Sequence, residues 1–402
     1  MLSLLLAIIY ITFISLGLPD SILGSAWPSM YGVLEVPLSY AGIITMIISG
    51  GTIVSSLFSH RLICCLGTGM VTLISVAMTA VALFGFSFSN SFWLLCLWSI
   101  PYGLGAGSVD AALNNFVALH YEAKHMSWLH CFWGIGATLG PYIMGLCLTR
   151  GLNWPSGYRT IGIVQTVFVF CLIISLPLWK MTQKDQGLEA KGNKVVGLKA
   201  ASRQLGVKPI LAGFFCYCSL EATAGLWASS YLVLKKGIGA QTAAKWAAIF
   251  YLGITTGRLL AGFITGNVGI KNMVRGGQVV AGFGIMIMML PFGKQLSLLG
   301  LVLIGLGCAP IFPSLLHQTP ENFGEDKSQT IMGMQMAAAY IGTTFMPLLF
   351  GFITEQVGMG FYPLYLMFFV LLMLIMVEKV NRIQGYELFQ KISNEAFGKN
   401  KK

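Results

Sequence analysis

The stretch GLGAGSVDAAL, residues 103–113, returns 202 positions later as GLGCAPIFPSL, residues 305–315. Two further pairs keep step with it. IGATLGPYIMG from Ile135 matches IGTTFMPLLFG from Ile341, an offset of 206, and Asp20-x-x-x-Gly24 matches Glu221-x-x-x-Gly225, an offset of 201. Three matches in one order at nearly constant spacing make the chain two copies of one half. The copies lie in apolar runs near or above twenty residues, long enough to cross a hydrocarbon core of about 30 Å. Duplicated membrane halves are an architecture of secondary transporters, whose sites lie near the midplane where the halves meet.

Composition agrees. Of 402 residues, 56% are hydrophobic and 10% charged, against about 25% charged in soluble domains. The fold class is therefore an all-α membrane protein with twelve transmembrane helices in two pseudo-symmetric six-helix bundles. Spans begin near residues 2, 39, 68, 91, 127 and 159, and again near 208, 242, 272, 296, 328 and 360. The expected boundaries are 1–181 for the N-terminal bundle, 182–207 for a cytoplasmic linker, 208–382 for the C-terminal bundle and 383–402 for a cytoplasmic tail. The start of the chain reads as a first span, since it lacks a basic leader and a small-residue cleavage site.

The net charge of +11 does not form a nucleic-acid patch; the basic residues sit in short loops and the tail. Most fall on the linker's side, which puts both termini in the cytoplasm by the positive-inside rule. The nine cysteines are scattered, without a C-x-x-C pair, so neither a structural metal nor a cofactor is expected.

Most of the 14 acidic residues fall in loops, at span ends or in the tail. Asp20, Asp110 and Glu221 do not. An acid at mid-membrane costs on the order of 3 kcal/mol, so the three together cost roughly 8–10. They must face water or a partner, and no intramembrane Lys or Arg is expected beside them. Helical spacing puts Asp20, Gly24 and Trp27 on one face, and Asp110 with Asn114. His130 precedes Trp133 by three residues, Trp227 follows Glu221, and the later spans offer His317, Gln318 and Gln335. Carboxylates, amides and indoles around water suit a polyhydroxylated solute, because acids and amides take hydroxyl protons while aromatic faces stack on C–H groups. The recurring glycines Gly103, Gly105, Gly107, Gly134, Gly136 and Gly140 read as helix-packing positions of the small-xxx-small kind.

The chain resembles the major facilitator superfamily. GRLLAGFITGNVGIKNMVR, read as the loop after span 8 and carrying Gly257 and Arg258, is similar to that family's G-R-x-x-x-G cytoplasmic gating motif. FSHRLICCLG, with Arg61, is the counterpart after span 2 and lacks the usual acid. Within the superfamily, LPDSILG, GLGAGSVDAALNNFV, SWLHCFWGIGA, CYCSLEATAG and LIGLGCAPIFP resemble the fucose/galactose/glucose:proton symporter group. That resemblance implies a proton-carrying role for Asp20. It implies sugar contacts for Asp110, Asn114 and Glu221, with His130 and Trp133 standing where the group has polar cavity residues.

The expectation is a proton-coupled hexose symporter of the inner or plasma membrane, a monomer working by alternating access, with no metal and no cofactor beyond the coupling ion. Asp20 would carry the proton, Asp110, Asn114, His130 and Glu221 would hold sugar hydroxyls, and Trp227 would be the aromatic platform. A sodium-coupled sugar carrier and a drug or metabolite exporter are the competing readings. An intramembrane aspartyl protease is disfavoured, because GAGSVD is not G-x-G-D, and the chain is not expected to be an enzyme.

Overall fold

In hydrocarbon each segment must satisfy its own backbone hydrogen bonds, so runs this apolar fold as helices. The computed structural model describes residues 2–37, 40–185, 196–290 and 293–399. Its helices are α1 (Leu2–Asp20), α2 (Ile22–Met30), α3 (Ala41–Leu66), α4 (Thr68–Phe88), α5 (Phe92–His120), α6 (Ala123–Thr149), α7 (Trp154–Asp185) and α8 (Leu198–Ser202). The chain continues through α9 (Val207–Leu234), α10 (Ala240–Val268), α11 (Ile270–Met289), α12 (Lys294–Cys308), α13 (Ile311–His317), α14 (Thr319–Phe323), α15 (Glu325–Val357) and α16 (Tyr362–Lys399). Among the described residues, eleven helical segments are long and apolar enough to cross a bilayer. The remaining expected span, the ninth, is α11, a 20-residue helix carrying Lys271 and Arg275 near its start. Of the expected linker, α7 takes the first residues and α8 lies near the end, while 186–195 fall outside the described residues. The expected tail continues α16 as helix to Lys399.

Two compact units form. One is Met1–Val195 with Thr255–Ile270; the other is Val196–Ile254 with Lys271–Lys402. Within the first, α1 packs on α6, α3 on α5, and α4 on α5 and α7; within the second, α9 packs on α15 and α16.

The duplication read from the sequence recurs as matching contacts. In the first unit a Cβ on Gly103 would overlap the Ile48 carbonyl of α3, and one on Gly105 would meet the Ser75 carbonyl of α4. In the second, the same atom on Gly305 would meet the Phe250 carbonyl of α10, and on Gly307 the Gly277 carbonyl of α11. Each contact partner is displaced by 202 residues, as the glycines are (48 to 250, 75 to 277). Gly136 lies against the Ile14 carbonyl of α1, and Gly342 against the Phe215 carbonyl of α9. Thus the repeated glycines are where helix backbones touch, in the same pairing in each half.

One local device positions the first acid. Pro19 lies inside α1 and has no N–H for the Ser15 carbonyl one turn earlier. That carbonyl instead accepts from the Gln165 amide of α7, while the Ser15 hydroxyl donates to the Gln165 Oε1. Helix α1 ends directly after Pro19, at Asp20, and α2 restarts at Ile22. Gln165 is fully buried, so Gln165→Leu would strand the Ser15 groups. We expect a loss of about 1–3 kcal/mol, read as a lowered unfolding temperature in detergent; an unchanged temperature would refute this account of the break.

Candidate functional site

Asp20 stands at the accessible end of α1 and is bonded by two neighbouring helices. Its Oδ1 accepts from the Tyr102 hydroxyl of α5 at 2.9 Å, and its Oδ2 from the Trp133 indole N–H of α6 at 2.9 Å. Tyr102 is buried, so its hydroxyl arrives from within the packed unit.

A second polar chain joins the same two helices. The Asn114 Nδ2 donates to the Asp110 carboxylate at 2.8 Å and to the Asp110 backbone carbonyl at 2.9 Å. Its Oδ1 lies 3.1 Å from the His130 Nε2 of α6. A carboxylate only accepts, which fixes the amide's orientation; His130 Nε2 must then carry a hydrogen and donate. His130 is also held edge-on by Phe13, centroids 5.6 Å apart at 89°. His130 and Trp133 lie three residues apart, on one side of α6. Asp20 on α1 bonds Trp133 directly, and Asp110 on α5 reaches His130 through Asn114, so the two address the same turn of α6. Asp20, Asp110, Asn114, His130 and Trp133, singled out from the sequence, are brought together here.

Arg258 is different from expectation. The G-R motif was read as a loop after span 8, but α10 continues ten residues beyond Arg258, and the turn to α11 is Gly269 alone. Both Gly257 and Arg258 are buried within the helix. The guanidinium lies within electrostatic range of His130 and Cys131. Arg61 does sit near the end of α3, exposed, over the Phe58 ring at 5.7 Å.

Trp27 is not open to a ligand beside Asp20: 4% exposed, it packs in an apolar core with Ile22, Met30, Phe86 and Trp154.

In the second unit, Glu221 is half-buried on α9 and interacts electrostatically with Tyr251 of α10. Trp227 is not an open platform. Its indole N–H donates to the Pro347 carbonyl at 2.9 Å, and its ring meets Phe350 edge-on at 5.6 Å, which makes it a strut from α9 to α15. Trp227→Phe should keep the ring packing, lose about 1 kcal/mol with the hydrogen bond, and leave solute affinity unchanged; a large rise in KM would restore the platform role. Gln335 is fully buried, and its Oε1 accepts from the Thr319 hydroxyl at 3.0 Å. Gln318 is buried at the α13–α14 junction and His317 half-buried beside it. These two glutamines are interior residues of their unit, as Asn114 and His130 are of theirs.

Sequence reasoning missed Tyr102 and Tyr251. Neither has a local signal: a tyrosine in an apolar span is ordinary, and only the tertiary fold sets each beside an acid.

A model of the Major Facilitator Superfamily matches residues 9–343 and 237–381. The glucose/mannose transporter GlcP of Bacillus subtilis is 23% identical over 60% of this chain and 61% of its own length. The human lysosomal dipeptide transporter MFSD1 is 24% identical over 74% of this chain and 68% of its own. For several curated relatives the match spans 56 to 61% of their length. A crystal structure of the E. coli fucose:proton symporter FucP aligns with a TM-score of 0.73 at 16% identity, covering 94% of this chain and 98% of FucP. At that identity the likeness is one of fold.

Proposed function

The chain belongs to the Major Facilitator Superfamily, and from that premise we propose that it is a proton-coupled symporter of a hexose or closely related sugar, acting by alternating access in a plasma or inner membrane with both termini cytoplasmic. The multi-pass membrane character follows from the family and the many apolar helices.

What carries the reading is Asp20, a carboxylate accepting one bond from each of two other helices. Ionised, it offers both oxygens as acceptors. Protonated, one oxygen becomes a donor, so proton uptake weakens the bond to Tyr102 or to Trp133. The proton is thereby linked to the spacing of α1 against α5 and α6. Trp133 stands one turn from His130, the end of the Asp110–Asn114–His130 chain. That chain provides acceptor and donor atoms for sugar hydroxyls next to the group that carries the proton. The relatives GlcP and FucP support a sugar as solute.

Uptake of labelled hexoses into proteoliposomes under an imposed pH gradient tests the reading. Accumulation that follows the gradient and is indifferent to replacing sodium with choline supports it. Accumulation that requires sodium, or no hexose uptake at all, refutes it.

One observation favours a second solute class. The buried Arg258, within electrostatic range of His130, suits a carboxylate-bearing solute, and MFSD1 is a dipeptide transporter by name. Competition of dipeptides against hexose uptake separates the two.

A further inference from the structure

In the second unit an aromatic side chain of α10 reaches onto α9. Glu221 and Gly225 lie four residues apart on one face of α9. Across from them stands Tyr251 of α10, 52% exposed yet pressed onto α9. A Cβ on Gly225 would fall inside the Tyr251 hydroxyl and only 2.6 Å from the ring carbon that bears it. The phenol end of Tyr251 therefore lies against Gly225, one turn from Glu221. Gly24, the repeat counterpart of Gly225, meets nothing within 4 Å. The close approach is therefore particular to the second half, not a leftover of duplication.

The surroundings are polar in an otherwise apolar bundle. Tyr251 interacts electrostatically with Glu221 and with the fully buried Tyr362, whose hydroxyl donates to the Ala224 carbonyl at 2.8 Å. Along α10, Tyr251 shares a face with Thr255, Arg258 and Gly262, at steps of four, seven and eleven residues. Three of these four residues, Tyr251, Thr255 and Arg258, carry polar groups.

We propose that Tyr251, admitted by Gly225 and set beside Glu221, is the aromatic solute contact of the second half, the role the sequence suggested for Trp227. The exposed part of the ring would stack on sugar C–H groups while the phenol and the Glu221 carboxylate exchange hydrogen bonds with hydroxyls. The inference rests on the solute reading above and adds its aromatic subsite.

The test uses the full chain in proteoliposomes. Tyr251→Ala is expected to raise the KM for glucose at least tenfold with a smaller change in kcat. Tyr251→Phe keeps the ring and should raise it only a few-fold. Gly225→Ala displaces the phenol end of the ring and should raise the KM by less than Tyr251→Ala, with both variants eluting as folded monodisperse protein. A glucose KM unchanged in Tyr251→Ala overturns the proposal.

A second measurement separates this inference from the sugar reading. Tyr251→Cys is treated with a water-soluble thiol reagent, with the unsubstituted chain as reference for the exposed Cys64, Cys65 and Cys171. Labelling slowed by glucose supports both proposals. Labelling slowed by a dipeptide but not by glucose keeps Tyr251 as solute contact and discards the sugar. Labelling slowed by neither, or no labelling, discards Tyr251.

Discussion

Liposomes containing the Asp20→Asn variant are expected to equilibrate hexose without accumulating it. If one proton moves with each sugar, the unsubstituted protein concentrates sugar about tenfold per pH unit of gradient, the equivalent of 1.36 kcal/mol. Asparagine keeps the shape of the side chain and one acceptor oxygen, so it can still meet Tyr102 or Trp133, but it cannot take up a proton. The variant should therefore hold the inside-to-outside ratio at about one whatever the gradient, while sugar exchange between the two sides continues. Tyr102→Phe and Trp133→Phe each remove one donor and leave the carboxylate, so coupling should persist with altered affinity. Full accumulation by Asp20→Asn would remove the proton-carrying role outright. Loss of exchange as well would make Asp20 a solute contact instead.

Asp20 was legible because an isolated acid in an apolar run is expensive anywhere in a bilayer. The same reasoning picked out Asp110, and helical spacing alone joined Asn114 to it, an i to i+4 bond that needs no knowledge of the fold. His130 and Trp133 shared a side of α6 by spacing, but that this side met Asp20 and Asn114 depended on α1 and α5 packing there. Arg258 was misread for a different reason. An arginine near the end of a hydropathy window looks like a loop residue, and only the helix continuing to Val268 reveals that it is interior. Trp27 was misread because an indole that shares a helix face with an acid can still pack into a core, here with Phe86 and Trp154. Trp227 was misread because an indole can stack on a solute or brace a helix, and its sequence neighbours do not distinguish the two.

The repeat also explains where the chemistry is concentrated. At the duplicated positions Asp110 becomes Phe312, Asn114 becomes Leu316 and His130 becomes Met336 (offsets of 202 and 206). Phe312 packs against Phe214 and Tyr217, so the position that carries an acid in one half fills an aromatic core in the other. Duplication preserved the backbone contacts of the glycines and released the side chains between them. One half keeps two acids and a polar chain; the other keeps Glu221 and brings a tyrosine from α10 to it.

That division makes a strong demand on the conserved contacts, and the second large effect is expected there. Gly103→Val and Gly305→Val should each abolish recovery of folded, monodisperse protein or lower its stability by about 3 kcal/mol or more. Overpacking a core commonly costs 1–3 kcal/mol when side chains can shift. Here the added atoms meet backbone carbonyls, of Ile48 in one unit and Phe250 in the other, and a helix must move as a whole to admit them. Helix association in a membrane depends on this close packing, because lipid gives no hydrophobic drive between helices. Gly50→Ala is the control: that position meets nothing within 4 Å, and replacing it should change little. Thermal unfolding in detergent reads all three. Equal losses at 103 and 305 are the expected result, since the two glycines make the same contact in separate units. If either valine variant unfolds like the control, the matched contacts are not what holds the halves in their shared form.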